Sequence, residues 1–355
     1  MNMYSHLFAS ARESLLRLIQ TPSVSREEDN TARIIQEFFD AYSIPTERIE
    51  NNVIARSQFW SEDKPVILLN SHHDTVKPSA GWVHDPFVPK IEGKKITGLG
   101  SNDAGAPLVS LMLTFVHYYA METPFNLLFV ASAEEEVSGK NGMELVMSQI
   151  DSPAVAIVGE PTGMNMAVAE KGLLVLDCTA HGVAGHAAHN QGENAIYKAL
   201  PDIDWCKSFE FPKQSELLGP VKMTVTGIQA GTQHNVIPDT CTFMVDVRTN
   251  ELYSNQEVFE IVQSHLQSEV VARSFRLNSS HIPHNHPLVV RGKELGFELF
   301  GSPTLSDQAF ITNCPSVKIG PGDTHRSHAA DEYILESEIR AGITGYIKLL
   351  DNLQL

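Results

Sequence analysis

Basic side chains are scarce in this chain: 26 lysines and arginines stand against 43 aspartates and glutamates in 355 residues, a formal net charge of −17. That balance argues against binding nucleic acid or an anionic membrane through a general basic surface. It leaves open a small charged substrate read by the local field of a pocket. Cysteine is scarcer still. The four residues Cys178, Cys206, Cys241 and Cys314 are scattered, with no C-x-x-C pair, so neither a disulfide framework nor a zinc–thiolate site is suggested, and a reduced compartment is the simplest setting. No apolar run approaches the ~20 residues of a membrane span. Arg12, Glu13 and Arg17 interrupt the first leucines, so no signal peptide is read. Repeats and low-complexity tracts are missing too. The expectation is a cytoplasmic globular protein with no nucleic-acid or membrane partner, long enough for two domains.

What is present is patterned. Leu7, Ala11, Leu15, Leu16 and Ile19 recur at helical spacing until Thr21-Pro22, and Ile34, Ile35, Phe38 and Phe39 mark a second amphipathic helix. Short apolar runs at 66–69, 126–130 and 154–158 read as strands, with a helix over 107–119 between the first two. Continuous apolar strands alternating with helices predict an α/β sheet covered on both faces. From about residue 173 to 282 the order becomes strand (from Leu174), helix (193–209), strand (from Val221), strand (240–248), helix (257–268) and strand (271–277). That βαββαβ order is a ferredoxin-like unit. The predicted organisation is a discontinuous domain of residues 1–172 and 283–355, interrupted by a domain of residues 173–282. A last helix is predicted over 336–350.

Metal-type side chains follow the predicted strands directly: Leu-Asn-Ser-His72-His73-Asp74, Ser-Ala-Glu134-Glu135-Glu136 and Ile-Val-Gly-Glu160. Carboxyl ends of strands are where open α/β sheets place their sites. Two further segments, Gly98-Leu-Gly-Ser-Asn-Asp103 and Asp-Thr-His325-Arg-Ser-His328, complete a set of imidazoles and carboxylates. Taken singly, each has a bland explanation: a polar strand end, an Asp capping the helix that starts near Pro107, an acidic loop, a solvated histidine. Taken together they are what metal-assisted hydrolysis needs. Two-residue alternation sets His72 and Asp74 on one face and His73 on the other. Asp74 can then hold the second nitrogen of His72 and leave the first for a cation, and His73 is not expected to be a ligand. Of three mutually repelling glutamates, one can bind metal while a neighbour serves as base. The mixed His/carboxylate set suits Zn2+ better than magnesium or calcium.

These five segments, in this order and with the insertion so placed, resemble the metallopeptidase family of acetylornithine deacetylase, succinyl-diaminopimelate desuccinylase and the glutamate carboxypeptidases. The likeness spans residues 71–332, and the run Ser101-Asn102-Asp103-Ala-Gly is most similar to the acetylornithine deacetylase branch. The resemblance implies a zinc-peptidase-like mixed sheet covered by helices, with an inserted ferredoxin-like α+β domain serving as lid and for homodimerisation. It implies two divalent ions, Zn2+ with Co2+ as a substitute. Asp103 would bridge them, His72 and Glu160 would complete one, and Glu136 and His328 the other. Asp74 would support His72, and Glu135 would be the general base. His186, in Gly182-Val-Ala-Gly185-His186, would stabilise the transition state, and Asn235, Arg248 and Gly322 would contact substrate. An intramolecular Asp246–Arg248 pair competes with the substrate role of Arg248. The chain departs from the family where many members carry Asp-Met-Lys-Gly, since Ala, Gly and Ala follow Asp103 here.

The functional expectation is a dinuclear-metal amidohydrolase that removes the acyl group of an Nα-acyl amino acid of ornithine, citrulline or lysine type, in amino-acid biosynthesis. The alternatives are a dipeptidase or carboxypeptidase of the same family and, from a different class, a non-catalytic metal-binding assembly protein. The presence of Glu135, a base with no use in a binding-only site, speaks against the last.

Overall fold

A computed structural model describes residues 5–189 and 191–355. The chain divides into two compact units. The first runs to Val168 and resumes over His281–Phe300 and Ser306–Leu355; the second is Ala169–Ser280 with Gly301–Leu305.

A mixed sheet forms the centre of the first unit. Its strands lie in the order Thr46–Ile49, Asn52–Arg56, Asn126–Ser132, Val66–His72, Val155–Val158, Ser316–Lys318, Met166–Glu170, Ser280–His281. Val66–His72 runs parallel to both neighbours, Asn126–Ser132 and Val155–Val158. The outer pairs formed by Asn52–Arg56 are antiparallel. Ile67, Leu68, Leu69, Leu127, Phe129, Val130, Val155 and Ile157 are buried, as expected for parallel strands covered on both faces. Each such side chain contributes about 1.5–3 kcal/mol when fully removed from water. The helices Ser5–Ile19 and Asp29–Ala41 use the stripes read in the sequence, with Leu7, Ala11, Leu15, Ile35 and Phe39 buried, and Ala106–Tyr118 and Glu336–Leu350 fall where helices are predicted. Ala106–Tyr118 is apolar all round and lies in the interior. No helix among the described residues is long and apolar enough to cross a membrane.

The consequence for function lies at the strand ends. Three parallel neighbours, Asn126–Ser132, Val66–His72 and Val155–Val158, finish side by side, so the segments carrying Glu134 to Glu136, His72 and Glu160 emerge together.

In the second unit a four-stranded antiparallel sheet is ordered Lys222–Ala230, Thr240–Thr249, Gly172–His181, Glu269–Ala272. Helices Ala195–Ser208 and Asn255–His265 complete the βαββαβ order. Alternation sends Cys241, Phe243, Val245 and Val247 into the core with Leu174, Leu176 and Cys178. The second helix starts with a capping box, in which Ser254 Oγ accepts the Glu257 N–H and Glu257 accepts the Ser254 N–H. The last strand is displaced from its predicted place at 271–277. It ends at Ala272, because Ser274 and Asn278 turn the following backbone: Ser274 Oγ accepts the Arg276 N–H, and Asn278 Nδ2 donates to the Phe275 carbonyl. Phe275, an apparent strand residue, packs on Phe259 instead.

Candidate metal centre

His72 closes its strand with its side chain 1% exposed. Nδ1 lies 3.1 Å from the Asp74 carbonyl and 3.4 Å from Asp74 Oδ1, acceptors that place the proton on Nδ1 and leave Nε2 as a donor to a cation. Nε2 faces Asp103 Oδ1 at 3.2 Å, Glu160 Oε1 at 3.8 Å and Glu135 Oε2 at 3.9 Å. His73, one residue on, turns the other way: it is buried between the Thr31 hydroxyl and the Asn51 carbonyl, each 2.9 Å away, and burial pushes it down to about 4.

Asp103 lies on a tight turn over Ser101–Gly105. Gly100 precedes it with φ +72°, and a Cβ there would also press on Thr75 Cγ2 at 2.7 Å. The Asp103–Ala104 peptide is cis. The Asp103 carboxylate does not cap the following helix; it faces His72 on one side and His328 Nε2, 3.7 Å from Oδ2, on the other. His328, with φ +58°, sets Nε2 2.9 Å from Glu136 Oε2. Its tail neighbour His325 is exposed.

Two groups of donors result, each with its ligand atoms within 4.8 Å of one another: His72, Asp103 and Glu160; and Asp103, Glu136 and His328. Asp103 is common to both. Glu135 belongs to neither. Glu134 is turned away, its carboxylate accepting from Asn141 Nδ2 at 2.9 Å.

The electrostatics test whether this set fits cations. Burial, with Asp103 nearby, pushes Glu160 up to about 8. Burial pushes Glu135 well above the carboxylate range, opposed by His72 and reinforced by Glu160, Asp307 and Glu136. Burial pulls His72 down, but Glu135, Asp103, Asp74 and Glu160 outweigh it and hold the imidazole well above its ordinary value. The hydrogen bond to Glu136 raises His328 to about 9. Without cations these groups must retain protons to coexist. Divalent ions replace those protons, so the donor set fits two of them.

Supporting side chains escaped the sequence reading. Ser25 donates to Asp74 Oδ2 at 2.7 Å. Buried Glu28 accepts the Glu134 N–H at 3.1 Å. Ser132 donates to Asp307 at 2.5 Å and accepts from Asn70 Nδ2 at 2.9 Å. Asn102 and Asp323 exchange two hydrogen bonds, at 2.9 and 3.1 Å. Their identities carry no local signal, because each acts across a long stretch of chain. Gly322, with φ +100°, leaves room for the Asn102 side chain where a Cβ would collide.

The remaining predicted residues lie in the second unit. His186 sits on the short ladder Gly185–His186 with Val236–Ile237, and Asn235 accepts the Ala187 N–H through its carbonyl at 3.0 Å. Arg248 is paired with Asp246 through Nε at 2.9 Å and Nη2 at 3.1 Å.

Fold and donor set together define a scaffold for a pair of cations, with an α+β unit inserted into a mixed α/β domain. The profile of the peptidase dimerisation domain of the M20 peptidases matches residues 168–273. A peptidase M20 domain-containing protein of Schizosaccharomyces pombe is 27% identical over 355 residues, covering 94% of this chain and 82% of that protein. Among solved structures, aminopeptidase PepT of Bacillus cereus is similar with TM-score 0.75 at 16% identity, covering 97% of this chain and 98% of that one. The YXEP protein of Bacillus subtilis, described as a dinuclear metal binding peptidase of the M20 family, gives 0.73 at 17% identity, covering 98% and 99%. Residues 168–273 are thus similar to the peptidase dimerisation domain, and the fold of the whole chain is similar to that of solved peptidases, an M20-family member among them.

Proposed function

We propose that this protein is a dinuclear-metal amidohydrolase that removes the acyl group from an Nα-acyl amino acid. The observation that carries the hydrolytic reading is the position of Glu135. Its carboxylate lies 3.9 Å from His72 Nε2, yet it is outside both donor groups, which leaves it to handle protons.

Asp103 is assigned to both cations, His72 and Glu160 to one, Glu136 and His328 to the other. Zn2+ is the expected ion, with Co2+ as a substitute. When bound, such ions polarise a carbonyl and acidify water. Glu135 takes a proton from the attacking water as its oxygen bonds to the acyl carbon, and delivers that proton to the amine as the C–N bond breaks, giving a carboxylic acid and an amine; the acid then loses the second proton of the water and leaves as a carboxylate. Asp74 keeps His72 in the tautomer that presents Nε2. His186 is assigned to the charge that develops on the acyl oxygen. Asn235, Gly322 and Arg248 are assigned to substrate. Arg248 uses Nε and Nη2 on Asp246, so the pair pre-orients the guanidinium and presents Nη1 to a carboxylate. The dimerisation-domain match supports a homodimer through the inserted unit.

The deacylase assignment is supported by the Ser101-Asn102-Asp103-Ala-Gly run. A second reading, cleavage of short peptides, is favoured by the peptidase descriptions of the structural neighbours. One experiment separates them: amine release from Nα-acetyl and Nα-succinyl ornithine, citrulline and lysine, and from dipeptides, by chelator-stripped protein with and without Zn2+ or Co2+. Metal-dependent turnover of one acyl amino acid supports deacylation. Turnover of dipeptides alone overturns it in favour of the second reading.

A further inference from the structure

Glu332 is a buried acid that the assigned chemistry does not use. Its residue exposure is 3%. Oε1 accepts the backbone N–H groups of Asn102 at 2.7 Å and Asp103 at 2.8 Å, and Oε2 accepts that of Gly100 at 3.0 Å. Its own carbonyl accepts the Gly98 N–H at 3.0 Å, and the adjoining strand Tyr333–Leu335 pairs with Lys95–Thr97. One carboxylate near the end of the chain therefore takes up three of the N–H groups of the turn that presents Asp103. At the other end of the same tail segment, Asp323 is bound to Asn102. Residues 323–332, which include His328, are thus fastened at both ends to the Asp103 turn.

The geometry points to Glu332 as a positioning residue for the metal pair: by holding the Asp103 turn against the tail, it sets the shared carboxylate and His328 in register. Asp103 must turn Oδ1 to His72, at 3.2 Å, and Oδ2 to His328, at 3.7 Å. A small rotation of the turn would spoil one of these. The two donor groups do not depend on Glu332 equally. His72 and Glu160 come from strand ends and stand without it. His328 is 56% exposed at its side chain and comes from the segment that Glu332 fastens. Loss of Glu332 is expected to weaken the group of Asp103, Glu136 and His328 first. Three converging N–H groups also distinguish a carboxylate from an amide, because a glutamine satisfies Asn102 and Asp103 through its oxygen but turns an NH2 toward the Gly100 N–H.

This inference rests on the dinuclear reading, and Co2+ titration separates the two. Chelator-stripped wild-type, Glu332→Gln and Glu332→Ala proteins are titrated calorimetrically, with the electron paramagnetic resonance of the loaded forms recorded for magnetic coupling between ions. Wild type is expected to take two equivalents with a coupled signal. Glu332→Ala is expected to keep the first equivalent, to bind the second about 10–100-fold more weakly and to lose the coupling; Glu332→Gln should fall between. Two equivalents in Glu332→Ala with wild-type affinity and coupling overturn the inference, whatever that variant's melting temperature. Should Glu332→Ala fail to fold, Glu332→Gln decides: a weakened second equivalent supports the role, and an unchanged one overturns it. A wild-type protein that binds no Co2+ overturns the dinuclear reading instead.

Discussion

The backbone N–H of Glu135 donates to Asp74 Oδ1 at 3.1 Å, so the expected base is held in place by the residue expected to orient a ligand. The next N–H, that of Glu136, donates to Asp74 Oδ2, also at 3.1 Å, and the Ser25 hydroxyl reaches the same oxygen. On its other side Asp74 receives His72 Nδ1. One buried aspartate therefore holds an imidazole and the backbone of two successive glutamates at once. Burial would raise its pKa, but His72, Ser25 and the Glu136 N–H overcome this and hold it below the usual range, so it stays an acceptor.

Replacing Asp74 should disturb both neighbours together. Asp74→Asn places an NH2 toward donors that need an acceptor, and Asp74→Ala removes the acceptor altogether. The expected cost is about 10–100-fold in kcat/KM or in metal affinity, with the alanine variant worse. Steady-state kinetics and metal analysis on the same preparation check it. Normal kinetics with normal metal content in Asp74→Ala would show that the loop holds its own shape.

Glu135→Gln separates binding from chemistry. Because Glu135 lies outside both donor groups, the variant should retain both cations while kcat falls by roughly 10²–10⁴. Metal stoichiometry by elemental analysis, beside single-turnover rates, reads the two effects separately. Loss of a metal would reassign Glu135 as a ligand.

Much of this site could be read from the chain because its donors obey a local rule. His72, Glu136 and Glu160 each follow an apolar run, and apolar runs of that length become the parallel strands of a covered sheet. The final helix, Glu336–Leu350, coincides with the helix predicted over 336–350. The three-residue strands Lys90–Glu92, Lys95–Thr97 and Tyr333–Leu335 are too short to show a period, so nothing local marks them. The last strand of the inserted unit ends before its predicted place because Val271, Phe275 and Leu277 alternate like a strand, while Ser274 and Asn278 turn the backbone. The buried supports fail for another reason. Glu28 meets its partner Glu134 across 106 residues, and Glu332 meets Asp103 across 229. Such pairings exist only once the fold has closed.

The two tail histidines should behave differently. His328 Nε2 is 2.9 Å from Glu136 and 3.7 Å from Asp103, whereas His325 is exposed and outside both donor groups. His328→Ala should bind one equivalent of Zn2+ tightly where the native protein binds two, and His325→Ala should still bind two. Equal metal content in the two variants would remove His328 from the second group.

His73 should make the protein acid-sensitive independently of its metals. Burial holds its pKa at about 4 in the folded state, against an ordinary value of 6.5. A depressed histidine pKa means that the unfolded chain binds the proton more readily. Its contribution to stability is therefore complete above pH 6.5 and is lost progressively as the pH falls toward 4. A shift of this size corresponds to about 3 kcal/mol at the acid limit. His73→Asn removes the titration, though it also costs stability at neutral pH, since the imidazole bridges the Thr31 hydroxyl and the Asn51 carbonyl. The discriminating quantity is the slope: melting temperatures of metal-free wild type and variant, measured from pH 7.5 down to pH 4.5 (roughly the span of the two values), should converge as the pH falls. Parallel curves would mean that His73 is protonated in the folded protein after all, with its hydrogen-bond partners rearranged to accept.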